Sequence, residues 1–312
     1  MISAHDDRVA PSWPRSSDPL GRDVFVFKGP EDQSLEYMIC GAPELRPLVL
    51  LHSLEFPGWP PVQICDLARQ AGLRIVAVRR PGFGTNPPLN CMDRQAALIA
   101  AFLDAEDLDG AVIVASGSAN PIGHRLALSG NPRIALSVFA NCGFNYDQMR
   151  EFQPDWYARA LEQALQSRAG ARLSLMALRS SWGIFGRTWV FETILRKSPG
   201  DLAFLKENRD LMEEAIDTLL ARIDVPTFIL EIQSSLANDP LLADGVFGNV
   251  PAITVSGMET NDSWKQGVGA EAERLGMPPV AYLPSGDMLV VYRSPAELIA
   301  CLGDYLPEGR AA

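Results

Sequence analysis

Histidine is almost missing from this chain of 312 residues: His5, His52 and His124 are the only three, and none follows position 124. A C-terminal imidazole base is excluded, and so is a histidine-rich metal site. Cysteine is sparse as well. Cys40, Cys65, Cys91, Cys142 and Cys301 are scattered, odd in number, and form no Cys-x-x-Cys pair. That excludes a zinc ribbon, argues against a disulfide scaffold and fits a reducing compartment. Positive charge is in deficit: 27 Lys and Arg against 38 Asp and Glu leave a net −11. Nucleic acid and anionic membrane are therefore not expected partners. No apolar run approaches a membrane span, and the N-terminus lacks the charged-then-apolar pattern of a signal peptide. A soluble, cytoplasmic protein is the expectation. His-Glu-x-x-His and a Gly-Lys-Thr phosphate loop are absent, and Gly82-Phe83-Gly84 lacks the third glycine of a dinucleotide fingerprint. No metal and no cofactor are expected.

What is present is a rhythm. Residues 1–22 are rich in Pro, Ser and Asp and are expected to form a mobile arm. Asp23–Phe27 and Leu35–Cys40 flank a turn and predict a hairpin. Pro47–His52, Leu73–Val78, Gly110–Ala115 and Ile134–Phe139 are short apolar runs suited to strands buried on both faces. Helical spacing separates them at Val62–Gln70, Met92–Asp104 and Pro121–Leu128. Strands alternating with short helical crossovers predict an α/β fold, a mostly parallel twisted sheet with helices on both faces.

The rhythm breaks near residue 143. Residues 148–222 carry helical pattern and almost no strand signal; alternation resumes at Pro251–Ser256, with Val280–Leu283 and Pro295–Tyr305 after it. This predicts a core of residues 23–142 and 246–308 interrupted by a helical cap over 143–245. Val225–Leu230 reads equally as a strand or as part of the insert. Trp156, Tyr157, Trp182, Phe185, Trp189 and Phe191 cluster in the insert. Packing of the cap is the simpler use for these rings; lining a ligand pocket, with Trp182 and Trp189 on its wall, is the sharper one.

Four segments in order carry a resemblance: Leu50-Leu51-His52-Ser53, Arg80-Pro81-Gly82-Phe83-Gly84, Val114-Ala115-Ser116-Gly117-Ser118-Ala119-Asn120-Pro121, and Ser285-Gly286-Asp287 before Ser294-Pro295-Ala296-Glu297-Leu298. They resemble, respectively, the His-Gly oxyanion loop, the Arg-Pro-Gly-Phe-Gly turn, the nucleophile elbow and the Gly-His segment of the cap-bearing α/β-hydrolases. The resemblance implies an α/β-hydrolase fold from about residue 24 to 306. It implies that Ser53 and Leu54 form the oxyanion loop and that His52 shapes it. It also implies that Asp287 stands where the family has its catalytic histidine, and that the acid of the triad matches Glu259 or Asp262.

The departures decide what activity to expect. At the elbow two registers remain open. In one, Gly117 occupies the nucleophile position, leaving no nucleophile; in the other, Ser118 is at the tip, with Ser116 and Asn120 in the flanking small positions. A serine hydroxyl needs a neighbour to take its proton, and an ordinary aspartate is too weak a base for this. The favoured expectation is therefore a pseudo-hydrolase that binds a small apolar or weakly polar molecule or a protein partner, a homo-oligomer included. Ser116, Ser53, Ser118 and Asp287 would form the polar floor of its cleft. The rival is an enzyme, either an ester or lactone hydrolase using Ser118 or a different reaction using Asp287 as acid or base.

Overall fold

A computed structural model describes residues 16–17, 23–144, 165, 167–235 and 237–306. Among these residues nine strands form one sheet. They are β1 (Ser16–Ser17), β2 (Asp23–Lys28), β3 (Ser34–Cys40), β4 (Arg46–Leu51), β5 (Leu73–Val78), β6 (Ala111–Ser116), β7 (Ile134–Ala140), β8 (Ala252–Gly257) and β9 (Ala281–Leu283), in the order β1-β2-β3-β5-β4-β6-β7-β8-β9. The pairs from β1 to β5 along this order are antiparallel and the rest are parallel. Ser16–Ser17, inside the segment expected to be an arm, pair with Asp23–Val24. The other residues of that arm, and Trp156 and Tyr157, lie outside the described residues.

The period of two along each strand builds two cores. On β4, Leu48 and Leu50 enter one apolar layer while Val49 and Leu51 enter the other. On β6, Val112 and Val114 are divided in the same way from Ile113 and Ala115. Both faces must be covered, and helices cover them: α1 (Val62–Gln70), α2 (Met92–Ala105) and α3 (Asn120–Leu128) in the first half of the chain.

Between β7 and β8 the described residues are mainly helical. The elements are α4 (Arg168–Phe185), α5 (Arg187–Ile194), α6 (Pro199–Glu207), α7 (Arg209–Ile216), a π-helical turn (Asp217–Arg222) and α8 (Val225–Ser235). Phe191, Leu211, Leu219 and Phe228 from this insert join the same apolar layer as Leu48 and Leu50. Residues 242–250 return to the sheet side. Leu242 and Phe247 pack with Phe139 and Leu275, and the Gly245 and Phe247 N–H groups bond Arg274 and Leu275 carbonyls. The chain then finishes with α9 (Asp262–Arg274), α10 (Val290–Arg293) and α11 (Pro295–Gly303).

The ambiguous Val225–Leu230 run is helical. Asp224 decides it: its carboxylate accepts the Thr227 N–H at 2.7 Å, capping the helix, and Pro226 is tolerated in a first turn. On α8 the buried residues Thr227, Phe228 and Glu231 share one face. That face seats on the Arg-Pro-Gly turn. Gly82, at φ +82°, has no room for a side chain, since a Cβ there would lie 1.9 Å from Thr227 Oγ1.

Candidate functional site at the elbow

The geometry of the turn after β6 bears on the two registers. Gly117 directly follows the strand and has φ +51°, a left-handed conformation that a glycine enters without cost. Asn120, which the alternative register puts in a small-residue position, is already the first residue of α3 at φ −56°. Its amide donates to the carbonyls of Gly117 at 2.7 Å and Ala140 at 3.1 Å. Gly117 therefore forms the tip and Ser118 lies one residue behind it. A Cβ on Gly117 would meet Ser53 Cβ at 3.0 Å and Glu55 Oε2 at 3.5 Å.

Ser118 is buried, and its hydroxyl is fully engaged. It donates to Glu231 Oε2 at 2.7 Å and accepts from Arg80 Nη2 at 3.1 Å. It also accepts the Leu54 backbone N–H at 2.7 Å. Arg80 and Glu231 have no exposed side-chain surface and meet through two parallel bonds of 2.6 and 2.7 Å. The backbone completes the pocket for Arg80. Its Nε donates to the His52 carbonyl at 2.8 Å, and its N–H donates to His52 Nε2 at 3.0 Å. His52 Nδ1 lies 2.9 Å from the Ser53 carbonyl, so Nδ1 carries the proton and the ring is neutral. Burial, then the Arg80 charge, holds its pKa well below the usual value.

A second arginine flanks the first. Arg79 lies over the Trp59 ring, 4.3 Å from its centroid, and joins Glu36 at 3.2 Å and Glu214 of α7. Thus two adjacent buried arginines tie the loops at the strand ends to two helices of the insert.

Asp287 is likewise committed. Ser198, just before α6, and Thr260, after β8, both donate hydroxyl protons to its carboxylate, Thr260 at 2.9 Å. The Asp287 and Leu289 N–H groups point to Asp201, a carboxylate with no exposed surface on α6. Burial raises the Asp201 pKa, although those two N–H groups and Arg293 work against the rise. Of the two acids implied by the resemblance, neither reaches Asp287. Asp262 is a first-turn residue of α9, suited to the positive end of that helix. Its side chain is 92% exposed and pairs with Lys265. Glu259 pairs with Arg293. The partner of Asp287 from this loop is Thr260, between them, a hydroxyl where the resemblance points to a carboxylate.

The remaining candidates separate. Ser53 and Ser116 are buried beside the tip, and Ser53 Oγ accepts the Phe56 N–H at 3.2 Å. Trp182 and Trp189 are half-buried against the main apolar layer, and Trp189 stacks on the exposed Phe185 at 5.1 Å. Phe191 turns inward, and its ring centroid lies 6.3 Å from that of Phe56, two residues after Leu54. A cavity of about 670 Å³ opens elsewhere, between β3, the start of α1 and the α6–α7 corner; Met38, Cys65 and Leu211 line it, and neither tryptophan does.

His124 is packed on α3 among Phe139, Phe144 and Phe247, at 4.7, 5.5 and 6.0 Å. Its Nε2 lies 3.5 Å from Cys142 Sγ. Burial pushes the imidazole down to about 3 and the thiol well up, so the pair is neutral and packs as a core contact. Among the described residues no group of His, Cys, Asp and Glu is arranged to hold a metal ion, and no helix is long and apolar enough to cross a membrane.

No family model matches this sequence, and no curated protein does. Solved structures do. The Cif epoxide hydrolase from Acinetobacter nosocomialis is 15% identical with a TM-score of 0.67, covering 91% of this chain and 88% of its own. A structure described with carboxylesterases of Nitrososphaera gargenis is 17% identical with a TM-score of 0.62, covering 90% and 97%. A bromoperoxidase from Bacillus anthracis is 16% identical with a TM-score of 0.61, covering 90% and 99%. At these identities the likeness is one of fold: the chain has the α/β-hydrolase fold, with a helical insert after β7.

Proposed function

We propose that this α/β-hydrolase fold works by binding a small molecule and not by acyl transfer. The observation that carries this is the fate of the elbow. Gly117 at the tip has no nucleophilic atom, and the Ser118 hydroxyl behind it occupies the Leu54 N–H. In hydrolases of this fold an N–H from that loop joins the N–H after the nucleophile in stabilising the oxyanion. Here it is spent inside the protein. Glu231 does contact Ser118, but its two oxygens are also bound to Arg80, so the carboxylate is committed to a buried ion pair. Asp287 accepts from two hydroxyls and is better suited to fastening the cap over residues 143–245 than to moving protons. Rings of that cap, Trp182 and Trp189 among them, remain candidates for the pocket wall.

A fluorophosphonate probe is expected to leave the protein unlabelled, and p-nitrophenyl butyrate is expected not to turn over above background. Stoichiometric labelling at Ser118, read by mass spectrometry, would return the protein to the esterases.

The same geometry predicts how hard activity is to restore. Gly117→Ser with Asp287→His supplies a nucleophile and a base but leaves the Leu54 N–H engaged. Adding Ser118→Ala frees it, and one oxyanion donor is worth about 10²–10³ in kcat. The triple variant is expected to hydrolyse p-nitrophenyl butyrate faster than the double variant by up to about that factor. Equal rates would show that the Leu54 N–H is not the missing donor.

A protein partner or a second copy of the chain is the other binding reading. It is favoured by α4, on which Leu173, Met176, Ile184 and Phe185 are 52–74% exposed.

A further inference from the structure

The vacant tip faces a carboxyl group that no triad accounts for. Glu55 follows the oxyanion loop, and its Oε2 lies 3.5 Å from the point where a side chain on Gly117 would begin. Gly117 and Glu55 keep partial exposure, while Ser53, Leu54, Phe56, Ser116 and Ser118 beside them are buried. The partial exposure of Glu55 thus falls at the place where a hydrolase would present its nucleophile.

Among the described residues the charges acting on Glu55 leave it without a counterion of its own. Glu231 acts on it from α8 and Arg80 from the turn after β5. His52, at the end of β4, is buried and neutral. Arg80 is already bound through both terminal nitrogens to Glu231. The three ionisable groups thus sum to one negative charge when Glu55 is ionised. Burial raises the Glu55 carboxyl, and Glu231 adds to the rise. Its own backbone N–H, the Ser53 hydroxyl and Arg80 oppose it. The carboxyl is held toward its neutral form chiefly by burial, and among the described residues no cation is dedicated to it.

We propose that Glu55 is the recognition group of the elbow site and that the ligand is a small organic amine, bound as its ammonium ion and supplying the counterion that the described residues do not. This deepens the binding reading above and rests on it. An ammonium donor and an ionised carboxylate form a charge-assisted hydrogen bond, whereas an anionic ligand would meet like charge from Glu55 and Glu231. Binding below the carboxyl's pKa expels one proton from Glu55 to solvent. Affinity for the ammonium then rises with pH up to that pKa and levels off above it.

Isothermal titration of the full chain with benzylammonium chloride, benzyl alcohol and sodium benzoate, between about pH 5 and 7, tests this. Benzylammonium is expected to bind about tenfold or more tightly than benzyl alcohol, a difference of about 1.4 kcal/mol, with benzoate weakest. The ammonium affinity is expected to climb by up to about tenfold per pH unit below the Glu55 pKa. Glu55→Gln should erase the preference while leaving the melting temperature near wild type, and Glu55→Asp should keep part of it. Equal affinity for alcohol and ammonium, a preference that survives Glu55→Gln, or no binding of any of the three overturns the proposal. Failure of the binding reading itself would show separately, as turnover or as fluorophosphonate labelling.

Discussion

Replacing Glu231 with alanine is expected to destabilise the protein by about 3–5 kcal/mol, the cost of leaving one charge of a buried pair without its partner. Arg80 has no exposed surface, and its terminal nitrogens rely on the two Glu231 oxygens and on Ser118. Removing Glu231 strands a guanidinium in the interior and also takes the acceptor from the Ser118 hydroxyl. The loss should appear as a lower urea midpoint. The paired change Arg80→Met with Glu231→Leu is expected to recover most of it, because an apolar pair of similar size avoids the desolvation cost that both ions bear. If Glu231→Ala costs under about 1 kcal/mol, as an exposed pair would, the ion pair does not hold α8 to the elbow.

Mild acid is expected to unfold the protein through its two buried histidines. His124 is held at about 3 against an ordinary 6.5, and His52 is depressed in the same direction. In both cases the unfolded chain binds the proton that the folded one refuses. Stability contributed by the neutral rings is thus complete above the unfolded value and is lost as pH falls below it. For His124 the loss is about 1.4 kcal/mol per pH unit between its unfolded and folded values. Between about pH 6.5 and 4.5 it removes about 2–3 kcal/mol, a large share of the stability of many domains, and His52 adds to the loss in the same direction. Glu55 and Asp201 work in the opposite sense: their raised values favour the folded state as pH falls through them, which offsets part of the loss. His124→Phe keeps a ring against Phe139, Phe144 and Phe247 and removes one proton site. Circular dichroism during acid titration should show its midpoint at lower pH than wild type; an unchanged midpoint would exclude His124 as a cause.

The rhythm of short apolar runs and helical spacing was enough to call for an α/β sheet with a helical interruption, because those signals are local. Strands such as Leu48–Leu51 face apolar layers on both sides, and their composition records it. The lack of any histidine beyond position 124 is likewise legible in the sequence, and no folding can turn Asp287 into an imidazole. The elbow was legible only in part. Ser116, Gly117 and Ser118 alternate small residues in a way that fits two registers, and the positive φ at Gly117 is what separates them. The partners of the site were not legible at all. Ser118 meets Glu231 across 113 positions, and Asp287 meets Ser198 across 89. Each partner is an ordinary polar residue of the insert, Glu231 on α8 and Ser198 just before α6, with no motif around it. Its role comes from burial: once α8 seats on the turn at Gly82, Arg80 must find a carboxylate within reach, and only the packing of two distant segments determines which one it finds.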